Sequence, residues 1–197
     1  KRQFQRLKGF VNGVLRAVSR QKDQLVFPGL SVRYSMPSWI LSLWSQTYET
    51  ATIETMLSYF LSPHPLTVRC NINRTDKKTI VGSLESQGVQ VTESRLLDSV
   101  LYLEHVDYLD KLEAFYKGWI QVQDLSACLP GLAASPQKGD VVLDVCGAPG
   151  GKSLHIADLL DGTGHVEVRD KSSYKVDMIK ENIVRSGLSN LTASVWD

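Results

Sequence analysis

From Asp140 to the end of the chain, short apolar runs alternate with helix-patterned stretches, and this alternation limits the fold more than any other feature. VVLDV (141–145) is an apolar run, the pattern of a parallel strand covered on both faces. A turn rich in small residues follows, then a helix predicted over Lys152–Leu160 and closed by Gly162 and Gly164. HVEVR is a second strand with Asp170 directly after it. The next helix is predicted from about Ser172 to Ser186, with Val176, Ile179, Ile183 and Val184 on one face and Gly187 as its C-terminal cap. LTASVW is a third strand, followed by Asp197. Three strands alternating with two helices make half of a doubly wound sheet. The first strand, central in a complete sheet of this kind, is expected to be left as an apolar edge. Glu167 and Arg169 put charge into the second strand, which predicts that one of its faces is exposed.

The turn between the first strand and its helix reads VCGAPGGKS (145–153) and at first suggests a phosphate-binding P-loop. Such a loop needs a glycine, four residues, then Gly-Lys-Ser/Thr. Counting back from Gly151-Lys152-Ser153, the first glycine should stand where Cys146 does. Gly147 leaves the cradle one residue short, and GxGxxG cannot be threaded through GAPGG either. What remains is a strand, a tight turn, a helix N-terminus, and acids at or after successive strands: Asp144, Asp170 and Asp197. Asp170 lies 19 residues past Gly151, the spacing at which an acid reaches a ribose hydroxyl. An ionised carboxylate accepts two hydroxyl hydrogen bonds but repels a triphosphate. The arrangement suits a ligand with adenosine and no phosphate, of which S-adenosylmethionine is the obvious example.

Upstream, Phe4–Ser19 carries Phe4, Leu7, Phe10, Val11, Val14, Leu15 and Val18 at helical spacing. QLVFPGLSVRYSMP reads as an irregular linker, and Ser35 and Pro37 mark the start of the next helix. WILSLWSQTYETATIETMLSYFL predicts two short helices ended by Ser62-Pro63-His64-Pro65. A small α/β segment follows, with strands predicted at Leu66–Asn73, Val89–Thr92, Ser99–Glu104 and Trp119–Val122. Its helices are predicted at Lys77–Gln87, closed by Gly88, and at Asp124–Leu132, where Asp124 is a plausible N-cap and Pro130 an early break.

The chain has 197 residues, 43 % of them hydrophobic and 22 % charged, an ordinary balance for a soluble globular protein with one large or two small domains. No apolar run approaches the roughly 18 residues of a membrane span, so no membrane association is expected. Three widely separated cysteines, Cys70, Cys128 and Cys146, form no disulfide framework, which favours a reducing, cytoplasmic compartment. Four histidines show no metal-ligand spacing, and no metal site is expected. The net charge of +1 hides a basic start: seven Lys or Arg precede the first acid, Asp23. Such a stretch is either a solvated helix face or a contact with nucleic acid or an acidic partner. Arg69, Asn71, Arg74, Lys77 and Lys78 leave the same choice open, an RNA path or a solvated surface. Trp39, Trp44 and Trp119 sit among apolar neighbours and read as core.

VLDVCGAPGGKS resembles the cofactor loop of the RsmB/NOP2/Sun-type RNA 5-methylcytosine methyltransferases, a CAAPGGK motif in which Gly147 here replaces an alanine. GWIQVQDLSA (118–127) is similar to the family segment preceding the fold, LTVRCNINRT to its Leu-Arg-Val-Asn strand, and YSMPSWILSLW to its Ser-x-Pro-x-Trp helix, with Met36 where histidine is frequent. GFVNGVLR (9–16) resembles the last helix of the NusB-like domain of the bacterial ribosomal RNA members.

The resemblance implies an α/β chain ending in a partial Rossmann-like methyltransferase domain of three parallel strands with helices, preceded by a small RRM-like α/β domain and N-terminal helices. Residues 1–25 would hold the NusB-like helix, 26–62 a helical linker, 63–135 the RRM-like part and 136–197 the first half of the cofactor domain. It further implies S-adenosylmethionine as cofactor and RNA, ribosomal RNA above all, as partner. Carried over residue by residue, Cys146, Gly147, Ala148, Pro149, Gly150, Gly151 and Lys152 form the cofactor loop. Backbone N–H groups at the helix start would face the methionine carboxylate, Asp170 the ribose hydroxyls and Asp197 the adenine amino group. The family's nucleophilic and product-releasing cysteines lie in Pro-Cys and Thr-Cys motifs, and this chain has neither. Cys70 and Cys128 read as small buried side chains and Cys146 as part of the loop, so no catalytic residue is assigned. The chain is expected to be a fragment carrying the cofactor half, unable to methylate RNA alone; a binding module without catalysis is the alternative.

Overall fold

The computed structural model describes residues 7–196 and divides the chain into two compact units, one ending at Pro63 and one beginning at His64. The first unit is helical: α1 (Lys8–Gln21), α2 (Gly29–Arg33), α3 (Ser38–Trp44) and α4 (Thr50–Leu61). Phe4, where the first helix was expected to begin, lies outside the described residues. The apolar stripe of α1, including Phe10, Val14 and Leu15, is exposed. The stretch read as an irregular linker contains α2, which Pro28 in an extended conformation introduces. Pro37 then precedes α3 at its N-cap position. Trp39, expected in the core, is 67 % exposed, because α3 is only seven residues long and buries none of them fully. Trp44 is half-buried, its ring centroid 6.2 Å from that of Phe60.

The second unit begins with a βαββαβ arrangement of β1 (Leu66–Cys70), α5 (Lys77–Ser86), β2 (Gln90–Glu93), β3 (Val100–Glu104), α6 (Glu113–Tyr116) and β4 (Ile120–Val122). The strands form one antiparallel sheet in the order β2-β3-β1-β4, the ferredoxin-like order. The Asp76 carboxylate caps α5 by accepting hydrogen bonds from the Thr79 N–H at 2.9 Å and hydroxyl at 2.7 Å. Ile80 and Leu84, four residues apart on α5, are fully buried with Val68, Leu101, Leu103 and Ile120 of the sheet. Each such side chain contributes roughly 1.5–3 kcal/mol of burial.

α7 (Leu125–Ala134) connects to the second sheet, and Pro130 sits inside it without breaking it. Tertiary packing overrides the local rule here. The ring of His155 lies against Gly131, where an added Cβ would come within 2.8 Å of Nδ1, and Cys128 is buried on the same helix. The remainder is β5 (Val141–Asp144), α8 (Gly151–Leu159), β6 (His165–Asp170), α9 (Ser173–Ser186) and β7 (Leu191–Val195). The three strands are parallel in the order β5-β6-β7, with β5 at an edge as expected.

Both helices share one core, in which Leu154, Ala157 and Ile179 meet Val166, Val168 and Leu191. The expectation that VVLDV is covered on both faces fails: Val141 is 79 % exposed and Leu143 also faces outward. The charged residues of β6 occupy that same open side. Glu167 and Arg169 pair with each other at 2.7 Å, and the Arg169 guanidinium lies 4.2 Å from the Trp196 ring centroid. Val184 was placed on the buried stripe of α9 and is exposed instead; the helix turns Val176, Ile179 and Ile183 inward.

Candidate cofactor-binding site

The loop between β5 and α8 is held from three directions. At its base, Asp144 Oδ1 accepts the Cys146 N–H at 3.2 Å, and Oδ2 accepts the Ser153 hydroxyl at 2.5 Å. From β6, the Arg169 carbonyl accepts the Gly147 N–H at 3.0 Å, and Asp170 Oδ2 accepts the Ala148 N–H at 3.3 Å. From α9, the Asn182 amide donates to the Pro149 carbonyl at 2.9 Å. Gly150 then takes a left-handed conformation (φ +103°) that side chains rarely adopt, and its carbonyl accepts the Leu154 N–H at 2.8 Å to start α8.

The loop encloses one side of a cavity of about 190 Å3. Six of the residues singled out from the sequence line it: Cys146, Gly147, Ala148, Pro149, Gly151 and Lys152. Gly150 does not line it and acts through the turn it allows. Asp170 is only 4 % exposed and does not line it either. The N–H groups of Ser172 and Ala148 hold its carboxyl below the ordinary range, so it is ionised at neutral pH. Two accepted bonds leave about two lone-pair sites of such a carboxylate open. Asp197 lies outside the described residues.

The far wall of the cavity comes from Val122, Gln123 and Ala127, which the sequence does not assign to the site, and Asp144 lines it from the base of the loop. The Gln-Asp segment 123–124 was the available signal. A Cβ on Gly151 would lie 3.8 Å from Gln123 Cδ, so the missing side chain keeps the cavity open at this point. Gln123 is itself fixed: its amide donates to the Ala127 carbonyl at 2.9 Å, and its oxygen accepts Arg69 Nε at 3.0 Å. Arg69 Nη1 reaches on to Asp158 Oδ2 in α8 at 2.6 Å, and the Asn73 amide donates to the Asp158 carbonyl at 2.6 Å. Arg69 and Asn71 were candidates for an RNA path or a solvated surface; both are buried and neither role is open to them. Lys77 is bound to Glu93 and Asp98. Cys70 and Cys128 are buried as expected, burial pushing the Cys70 thiol up to about 11 and raising that of Cys128, whereas Cys146 is exposed in the loop.

A parallel βαβαβ unit with a glycine turn at a helix N-terminus, and acids closing its first two strands, defines a Rossmann-like domain of the methyltransferase class. Two models of one family match the chain: the 16S rRNA methyltransferase RsmB/F model over residues 132–197, and the ferredoxin-like domain of RsmF/B-like methyltransferases over residues 36–109. The probable ribosomal RNA small subunit methyltransferase B of Bacillus subtilis (strain 168) is 33 % identical over 195 residues, 95 % of this chain and 43 % of that protein. The crystal structure of PH0851 matches with a TM-score of 0.78 at 25 % identity, over 85 % of this chain and 38 % of that one. NSun6 from Pyrococcus horikoshii, determined with SFG, matches with a TM-score of 0.64 at 19 % identity, over 69 % of this chain and 59 % of that one, and shares the fold.

The chain belongs to the RsmB/F family. It spans less than half the length of the curated relatives it matches. Among the described residues, no helix is long and apolar enough to cross a membrane.

Proposed function

We propose that this chain is the cofactor-holding part of a cytoplasmic enzyme that transfers a methyl group from S-adenosylmethionine to carbon 5 of a cytosine in small-subunit ribosomal RNA. The observation that carries the reading is the cavity bounded by the glycine loop, Gln123 and Asp144. It presents small residues and the start of α8 to a ligand, and its carboxylate would repel a triphosphate. The residues fit such a cofactor. The α8 N-terminus suits a carboxylate and the bare Gly151 leaves room beside Gln123, while Asp170, behind the loop and outside the cavity lining, is an ionised acceptor with lone-pair sites that its two backbone bonds leave open. The bound cofactor would supply an electrophilic methyl group. The SFG-bound relative, whose ligand is an S-adenosylmethionine analogue, supports the same assignment.

Methyl transfer to carbon 5 requires a thiolate to add to carbon 6 of the ring first. Cys70 and Cys128 are sealed in the protein and protonated at neutral pH, and Cys146 belongs to the loop. This chain therefore binds and orients the cofactor, and the nucleophile comes from elsewhere in the whole enzyme. The cavity volume of about 190 Å3 is below the roughly 300–1,000 Å3 usual for small-molecule sites, which supports the reading of a half-site. With Cys146 taken up in the loop and Cys70 and Cys128 buried, the absence of any other accessible cysteine equally favours the second reading, a methyltransferase fold that binds RNA without turnover. Tritium release from [5-3H]cytosine in a 16S ribosomal RNA fragment separates them. The full-length protein is expected to release tritium and this chain alone none; turnover by the chain alone would contradict the proposal.

A further inference from the structure

A second concavity, about 890 Å3, opens where the β4 side of the ferredoxin-like sheet meets the C-terminal half of α9. It shares no lining residue with the cofactor cavity. Two glycines allow the elements to approach. Gly118 (φ +71°) lies where any Cβ would strike the Arg185 backbone, and Gly187 (φ +67°) where one would strike the Arg74 guanidinium. Arg185 fixes the floor. It donates to the carbonyls of Phe115 at 3.2 Å and Ile120 at 3.0 Å, to Asn182 Oδ1 at 3.0 Å and to Gln121, and it lies 4.1 Å from the Phe115 ring centroid. All of these partners are neutral, so its charge is held in place without being cancelled.

Above that floor the lining is basic and aromatic. Arg74, Lys117 and Lys180 are exposed, and Glu181 is the one acid among the lining residues. Among the described residues neither Arg74 nor Lys180 has an ion-pair partner, while Lys117 pairs with Glu113 and lies 4.7 Å from the Trp119 ring centroid. Tyr116 is 56 % exposed at the rim. Unpaired cations beside an exposed aromatic ring, that of Tyr116, suit a polyanion that also carries flat rings. A duplex keeps its rings stacked on each other, whereas a single strand can offer them to the protein.

We propose that this groove binds a single-stranded segment of the RNA substrate, with backbone phosphates at Arg74 and Lys180 and a base against Tyr116. The proposal rests on the RNA methyltransferase reading and adds a docking path outside the cofactor cavity. It is tested by fluorescence anisotropy of a labelled, unstructured ten-nucleotide RNA with the 197-residue chain and its Arg74→Glu, Lys180→Glu and Tyr116→Ala variants. Circular dichroism checks folding, and S-adenosylhomocysteine binding is followed in parallel.

Each charge reversal is expected to weaken RNA binding about tenfold and to lower the salt slope by about one; Tyr116→Ala weakens it at least about fivefold. S-adenosylhomocysteine affinity stays unchanged in all three variants. RNA affinity unaltered by the charge reversals would overturn the groove, as would undetectable RNA binding or equal binding of a poly-glutamate peptide. Loss of cofactor binding in the unmutated chain, with RNA binding and its variant effects intact, would instead remove the methyltransferase reading and leave the groove standing.

Discussion

Arg69 and Asp158 meet at 2.6 Å with their side chains only 2 % and 6 % exposed, joining β1 of the ferredoxin-like sheet to the helix that follows the glycine loop. The same guanidinium holds Gln123, a wall of the cofactor cavity. Burial raises the Asp158 carboxyl above the ordinary range, and the Arg69 charge and Asn73 hydrogen bonds offset only part of that rise. Truncating one partner would strand the other in the interior. Arg69→Met is expected to lower unfolding free energy by about 3–5 kcal/mol in urea titration, and Arg69→Met with Asp158→Leu to recover much of that loss. Where the single variant still folds, its S-adenosylhomocysteine affinity is expected to fall because Gln123 loses one of its two anchors and keeps only the Ala127 carbonyl.

His155 makes stability depend on acid pH. Burial lowers its pKa to about 4 from an ordinary 6.5, and the charge of Arg69 acts in the same direction. Below 6.5 the unfolded chain takes up a proton that the folded chain refuses. The stabilisation is therefore complete above about 6.5 and is lost as pH falls toward 4, by on the order of 3 kcal/mol. Denaturation midpoints across that range, compared between the unmutated chain and His155→Gln, should show this component only in the former.

Gly147 stands where the resembling motif has alanine, and here a Cβ would run into Val168 Cγ1 and come within 3.2 Å of Asp144 Oδ2. Val168 is fully buried. Gly147→Ala is expected to destabilise by about 1–3 kcal/mol. In a double-mutant cycle with Val168→Ala, the combined loss should be smaller than the sum of the two single losses.

The three thiols should react in two classes. Cys146 is exposed on the loop, while burial keeps Cys70 and Cys128 protonated and inaccessible. A thiol reagent at pH 8 is expected to label Cys146 alone in the folded chain, as mass spectrometry of peptides would read. Saturating S-adenosylhomocysteine should slow that labelling.

The cofactor half was legible in the sequence because its signals are local. A parallel strand, a glycine turn and an amphipathic helix each announce themselves within a dozen residues, and the loop spacing alone removes the P-loop reading. What escaped depends on contacts distant in sequence. Arg69 looks like a surface cation until Asp158, 89 residues later, is seen to receive it. Pro130 looks like a helix breaker until the His155 ring is found against Gly131. Val122, Gln123 and Ala127 belong to the cavity only because α7 packs on α8. The exposed side of β5 reflects the opposite limit: an apolar run says what a strand can be covered by, not what covers it in this chain.

The central claim, a cofactor site built for an adenosine ligand without a triphosphate, is tested most directly by calorimetric titration with S-adenosylhomocysteine. Mg-ATP serves as the control and Gly151→Leu as the blocking variant. Gly151 lacks a positive φ, so the added side chain enters the cavity beside Gln123 without backbone strain. Binding of S-adenosylhomocysteine alone, abolished in Gly151→Leu, is the predicted result. Binding of Mg-ATP in its place, or S-adenosylhomocysteine binding untouched by the filled cavity, would contradict the account.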